Sequence, residues 1–245
     1  MTERSHSAIL MAAITLTGLM AGAGGSLGTV PGIADLGPAT AGPIYHAEIL
    51  IGSDAGFQVA ANGVVNTGAA GTAVDPYIIE NWTINASSVS GIHVQNTDAH
   101  FVIRNVTING TGQSNNGIDL YDVRNATVSD STVYDAIYGI RVDADVDMTG
   151  IINIVNNTFR DGSLTGVRLA AETPPGRLEN VSVLGNIVTG GDYGIQSFTS
   201  GCGTRTANVT IAWNTVSGLL SNGIEVDDSC GDIVRDISIS DNHVI

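Results

Sequence analysis

Beyond residue 90 the chain returns again and again to one pattern: a glycine, an apolar β-branched residue, a variable residue and usually another apolar one. Gly91-Ile92, Gly117-Ile118, Gly139-Ile140, Gly166-Val167, Gly194-Ile195 and Gly223-Ile224 begin the copies, so the spacings are 26, 22, 27, 28 and 29 residues. Periods of this size belong to solenoids, in which each copy buries its apolar side only by stacking on the next. Each copy continues into a strictly alternating segment, as in Asn105-Val106-Thr107-Ile108, Asn180-Val181-Ser182-Val183 and Asn208-Val209-Thr210-Ile211. Alternation of period two predicts half-buried strands. A third signature closes the copy, an Asn followed two residues later by an apolar residue: Asn157 with Phe159, Asn186 with Val188, Asn214 with Val216, Asn242 with Val244, and Ser131 with Val133 in the same slot.

Three short strands per period, separated by Gly, Asn, Asp and Ser, predict an all-β chain wound as a right-handed parallel β-helix of about eight turns. Stacking at about 4.8 Å pairs every backbone amide with a neighbouring turn. The recurrent Asn has two physical uses: it tolerates left-handed backbone at a corner, and identical amides in successive turns can bond as a ladder. A leucine-rich repeat would place Leu at fixed positions and a propeller blade would need about 40 residues, so both fit worse. The solenoid is expected over 49–245, with Phe57–Val65 and Tyr77–Ile84 as two opening turns. Ile245 falls in mid-turn, from which a C-terminally truncated fragment is expected, because terminal repeats normally differ from internal ones.

Composition agrees: 31 glycines and only 13% charged residues suit short strands between turns, and 43% hydrophobic residues suffice for a core. The balance of 24 acidic against 9 basic residues, net −15, argues against nucleic-acid partners. Residues 1–28 read as a signal peptide, with Arg4 ahead of an apolar run from Ala8 to Met20 and small residues behind it. Residues 29–48 read as a linker. The apolar run is shorter than the roughly 20 residues of a spanning helix, so no transmembrane span is expected. Secretion or display at the cell surface follows.

Cys202 and Cys230 lie one period apart, eight and seven residues after Gly194 and Gly223, which predicts a disulfide between stacked turns. Glycosylation sequons begin at Asn81, Asn85, Asn105, Asn109, Asn125, Asn156, Asn180 and Asn208, several of them the repeated strand element itself. Asp143, Asp145 and Asp147 offer oxygens to a calcium ion, although Met148 and Ile154 stand where an EF-type loop wants Gly and Glu; no cofactor is required otherwise. Glu225, Asp227 and Asp228 are the carboxylates for general acid and base work, without an accompanying Lys, Arg or His motif. His93, Asp98 and His100 are a copper or zinc alternative. The residues after each Gly-Ile pair, His93, Asp119, Arg141, Arg168, Gln196 and Glu225, are expected to form an outward column of solvated surface.

The run Gly71-Thr72-Ala73-Val74-Asp75-Pro76-Tyr77-Ile78-Ile79-Glu80-Asn81-Trp82-Thr83-Ile84, with the repeats behind it, resembles the archaeal secreted β-helix proteins grouped with the NosD-like family. That resemblance implies the fold, and a surface or secreted protein; NosD itself implies a metal-handling accessory role. The wider superfamily of pectate lyases, polygalacturonases and epimerases implies a polysaccharide-active enzyme by analogy. Asp227-Asp228 is similar to the polygalacturonase aspartate pair, but the Asn-Thr-Asp, Gly-His-Gly and Arg-Ile-Lys elements are missing. The leading expectation is therefore an exported β-helix with a structural or binding role, whose partners are polysaccharide or other cell-surface components.

Overall fold

A computed structural model describes residues 43–86, 89–110 and 114–245. The leader 1–28 lies outside them. Strands stack in parallel throughout, and the three signatures become three faces of one coil. The Gly-Ile segments form the first sheet: Ile49, Ile92, Ile118, Ile140, Val167, Ile195 and Ile224 pair in succession as one inward ladder. The alternating segments form the second sheet, from Tyr77–Glu80 to Ile233–Ser240. Strands Ile92–Arg104 and Ile118–Ser129 run through both, which joins the two into one 13-stranded array. The third sheet has eight short strands, from Ile44–His46 to His243–Val244.

Seven rungs give six steps, so the coil makes about six turns and not eight. The difference lies at the start. Ile49 pairs with Ile92, and this spacing of 43 residues makes one oversized turn where two were expected. Phe57–Val65 is not a strand: it falls on two short 3-10 helices, Asp54–Gln58 and Ala60–Asn62, and their exit. Phe57 turns inward, stacked on Tyr77 at 4.8 Å and tilted against Phe101 at 5.2 Å. The third sheet also begins earlier than the expected start, since Ile44–His46, in the segment read as linker, pairs with Trp82–Ile84.

The corners explain why certain residue types recur. Between the second and third sheets one residue per turn is left-handed: Asn81, Asn105, Asp130, Asn156, Gly185, Trp213 and Asp241, all with φ between 49° and 64°. Asn, Asp and Gly adopt this region at low cost. Trp213 does not, and its side chain is largely exposed. Replacing it with Asn should raise stability by about 1 kcal/mol, read as a higher urea midpoint at unchanged slope.

The residue after each corner points inward. Asn157, Asn186, Asn214 and Asn242 form a ladder in which the Oδ1 of each of the last three accepts from the backbone N–H and the amide of the preceding Asn, at 2.8 to 3.1 Å. Ser131 heads it, its N–H donating to Asn157 Oδ1 at 3.0 Å.

The repeat glycines are fixed by space, not by φ. A Cβ on Gly166 would stand 2.4 Å from Val188 Cγ1 and 2.8 Å from the Gly194 carbonyl oxygen, and Gly117, Gly139 and Gly194 are as tight. The third-sheet apolar residue fills the room a side chain would need. Gly166→Ala is expected to cost about 2 kcal/mol by overpacking, measured by urea unfolding.

Candidate functional site

Alternation along the first sheet sends every second residue outward. Register places His93, Asp119, Arg141, Arg168, Gln196 and Glu225 in one column, as expected, and beside it Gln95, Tyr121, Asp143, Ala170, Phe198 and Asp227 in a second. Together they make a charged face of the molecule. It is not the loosely solvated surface anticipated: Asp119, Asp143 and Gln196 are 8%, 3% and 6% exposed. Asp145 and Glu172, from the connections leading to the second sheet, close over its margin.

The contacts run from rung to rung. His93 lies with Nδ1 3.0 Å from Asp119 Oδ2 and Nε2 2.9 Å from Gln95 Oε1. The Asp119 hydrogen bond, working against burial, raises the imidazole pKa above its ordinary value. Arg141 bonds Asp143, and Tyr121 donates to Asp145, which drives the phenol pKa upward. Arg168 is the centre of the row. Its guanidinium lies 5.3 Å from the Tyr138 ring and 4.9 Å from Phe198, bonds Glu172, and donates to Gln196 at 3.0 Å. Gln196 in turn donates to Glu225 Oε2 at 2.6 Å, and Asn222 donates to Glu225 Oε1 at 2.7 Å.

Asp143 is the most perturbed carboxyl. Burial pushes its pKa up to about 6; Arg141 pulls it down, while Glu172, Asp145 and Asp119 add to the rise. Its Oδ1 and that of Asp119 are buried without a hydrogen-bond partner. Chemically the face combines proton-holding carboxyls, fixed guanidinium groups, an amide and aromatic rings, a set suited to hydroxyl-rich ligands.

The three carboxylates Glu225, Asp227 and Asp228 do not act as one group. Glu225 and Asp227 share the outward side, in register with Gln196 and Phe198. Asp228 instead accepts the N–H groups of Cys230 and Asp232, at 3.2 and 2.9 Å, and so shapes the turn that carries Cys230. Cys202 and Cys230 are disulfide-bonded, with Cα atoms 5.1 Å apart. Asp143, Asp145 and Asp147 are likewise separated in purpose: the first holds Arg141, the second accepts from Tyr121, and the third stands 3.9 Å from Arg177. Among the described residues no group of three His, Cys, Asp or Glu side chains is placed to hold a metal ion. His93 sits with Asp119, Asp98 pairs with Arg124 at 2.5 Å, and His100 lies on the second sheet, so these three do not converge.

The sequon asparagines have work to do in the coil. Asn105 donates to Asn81 and Asn208 to Asn180, both at 2.6 Å, and Asn109 faces Asn85 at 3.5 Å. Asn125 and Asn180 bond the backbone oxygens of Asp98 and Thr149, each at 2.9 Å. Asn156 occupies a left-handed corner.

Reading a single outward column missed Tyr121, Tyr138, Phe198 and Glu172. The alternation signal contained the first three, since Tyr121 and Phe198 stand two places after Asp119 and Gln196, and Tyr138 one place before Gly139. Glu172 sits in a connection and left no periodic trace.

Residues 49–211 match the family model described as the right-handed β-helix region, most of the chain's length. No curated protein matches the chain. Among the described residues no helix is long and apolar enough to cross a membrane.

Proposed function

This chain belongs to the right-handed β-helix family, and from that premise we propose that it is an exported, extracellular or cell-surface solenoid that binds a polysaccharide, or another hydroxyl-rich surface component, on its first sheet without turning it over. The observation that carries this reading is the asymmetry of the outer faces. The first sheet presents two bonded groups in one column, His93 with Asp119 and Arg168 with Gln196 and Glu225, with Arg141 held by Asp143 on the rung between them. The second presents an uncharged central column, Ile78, Val102, Thr127, Asn153, Ser182, Thr210 and Ser238, and keeps ion pairs such as Glu80–Arg104 and Glu179–Arg205 toward the strand ends. Stability alone does not call for this, because ordered ion networks on one face contribute little net energy. The leader pattern and the disulfide support export.

A polysaccharide lyase or hydrolase is the second reading, favoured by Asp143. A carboxyl that keeps its proton to about pH 6 near the carboxylates of Asp119 and Glu172 is the raw material of an acid and base pair.

The test is a panel of neutral and uronic-acid polysaccharides, with and without calcium, scored for binding and for new chain ends. Gln196→Ala and Phe198→Ala should weaken binding while Ser182→Ala on the second sheet leaves it intact. Turnover lost in Asp143→Asn would establish the enzyme instead. Binding equal in all variants would remove the first sheet from consideration.

A further inference from the structure

A concavity lies on the outer face of the second sheet, away from the charged row. Its floor is a grid of two outward columns over three rungs of the second sheet: His100, Asn125 and Ile151 in one, Val102, Thr127 and Asn153 in the other. Its wall is the loop that precedes Tyr77, where Ala73 and Pro76 stand above the first rung of the floor. The groove encloses about 220 Å³.

The wall is built, not incidental. Asn66 donates to the Pro76 carbonyl at 2.9 Å and accepts from Ile78 N–H at 2.7 Å. Asp75 accepts from Ala70 N–H at 2.8 Å, and its backbone exchanges two hydrogen bonds with Thr72, each at 3.1 Å. His100 N–H donates to the Gly71 carbonyl at 2.9 Å, which ties the loop to the floor itself. Gly71 is required here: it is left-handed at φ 66°, and a Cβ would stand 2.7 Å from the Tyr77 ring.

The lining chemistry is uncharged in a chain of net charge −15. His100 is the one titratable side chain in it. Ile151, 58% exposed, presents an apolar patch between two amides. Asn125 spends an amide hydrogen on the Asp98 carbonyl, which leaves its oxygen to accept; Thr127 and Asn153, 3.5 Å apart, offer a hydroxyl and an amide.

We propose that this groove is a binding site for one uncharged pyranose ring, seated with a C–H face on Ile151 and Pro76 and with its hydroxyls on Asn125, Thr127 and Asn153. Its volume is below the roughly 300 Å³ at which drug-sized pockets begin, so a single ring fills it. Aliphatic contact with a few amide and hydroxyl partners, free of a charge to desolvate, suits a neutral sugar better than an ion. The site stands apart from the first sheet and does not depend on it.

The experiment is NMR titration of the whole chain, made without glycosylation because Asn125 begins a sequon, with methyl hexosides and with a hexuronate as probes. Saturable shifts at Ile151, Thr127 and Asn153, with a Kd on the order of millimolar, are expected for a methyl hexoside. Asn153→Ala and Ile151→Ser, both outward substitutions that spare the core, should each weaken binding about tenfold, one hydrogen bond or one apolar contact being lost. The hexuronate should bind more weakly. No saturable shift, shifts confined to the His93–Glu225 row, or tighter binding of the hexuronate overturns the proposal; the middle outcome would leave the first-sheet reading standing on its own.

Discussion

Replacing Asn186 with Ala should cost about 4 kcal/mol, in the upper part of the range for truncating a buried side chain of its size. Asn186 is fully buried. Its Oδ1 accepts from Asn157 N–H at 2.9 Å and from the Asn157 amide at 3.1 Å, while its own amide donates to the Ile154 carbonyl at 2.9 Å and to Asn214 Oδ1 at 3.0 Å. Alanine removes that acceptor and that donor at once. The Asn157 backbone N–H then has no partner at a position closed to water, and each such orphan costs about 1–3 kcal/mol. Asn242 supplies the comparison: it accepts the same pair of bonds from Asn214, but it is only part-buried, so water can replace what its side chain gave. Asn242→Ala should therefore cost about 1 kcal/mol. Urea unfolding of the two variants at unchanged slope measures both. Equal losses would mean that burial, and not position in the ladder, is irrelevant to the bond, and the account of the corner would be wrong.

The ladder also shows what the sequence made legible. Asn157, Asn186, Asn214 and Asn242 recur at one offset from an apolar residue, and a short polar side chain at a fixed corner has few physical uses, so both the corner and the stacking follow from the sequence pattern. The glycines were legible as a period but not as a cause. Nothing in Gly166 itself reveals that Val188, on the third-sheet strand Ile187–Thr189 and 22 residues later in sequence, occupies the volume of its missing side chain. The opening turn was misjudged for a related reason: Phe57 to Val65 has the apolar content of a strand, but two short 3-10 helices deliver Phe57 to the core as a plug on Tyr77, and non-local stacking decides between them. The groove on the second sheet was invisible because its wall is a loop without periodicity.

The charged face divides the same way. Its columns follow from alternation, whereas its burial depends on connections such as that carrying Glu172, whose path no pattern fixes. A charge run at exposed positions is ordinarily solvated. Here the side chains bridge rungs and cover one another; the covering is what perturbs Asp143, and the bond to Asp119 on the next rung is what perturbs His93. The candidate site is thus a property of the stacked turns jointly, and no single repeat contains it.

That covering has a sign that can be measured. Asp143 has a folded pKa raised to about 6, against an unfolded value of about 4. Below pH 4 the group is protonated in both states and contributes no pH dependence. Between about 4 and 6 the unfolded chain gives up the proton while the folded chain keeps it, so the folded state binds more protons and stability falls as pH rises. Two units correspond to about 3 kcal/mol at most, and about 2 kcal/mol once screening by solvent at the margin is allowed for. His93 acts in the same direction at higher pH: its folded pKa is raised, so its stabilising contribution is complete below the unfolded value and is lost as pH climbs through the folded one. The protein should accordingly be more stable near pH 4.5 than near pH 7.5, and Asp143→Asn should flatten that decline by about 2 kcal/mol while leaving the His93 part in place. Unfolding by urea at several pH values, for the native chain and the variant, supplies the comparison. Parallel curves would show that Asp143 ionises as an ordinary carboxylate, and the proton that the enzymatic reading requires near pH 6 would not be there.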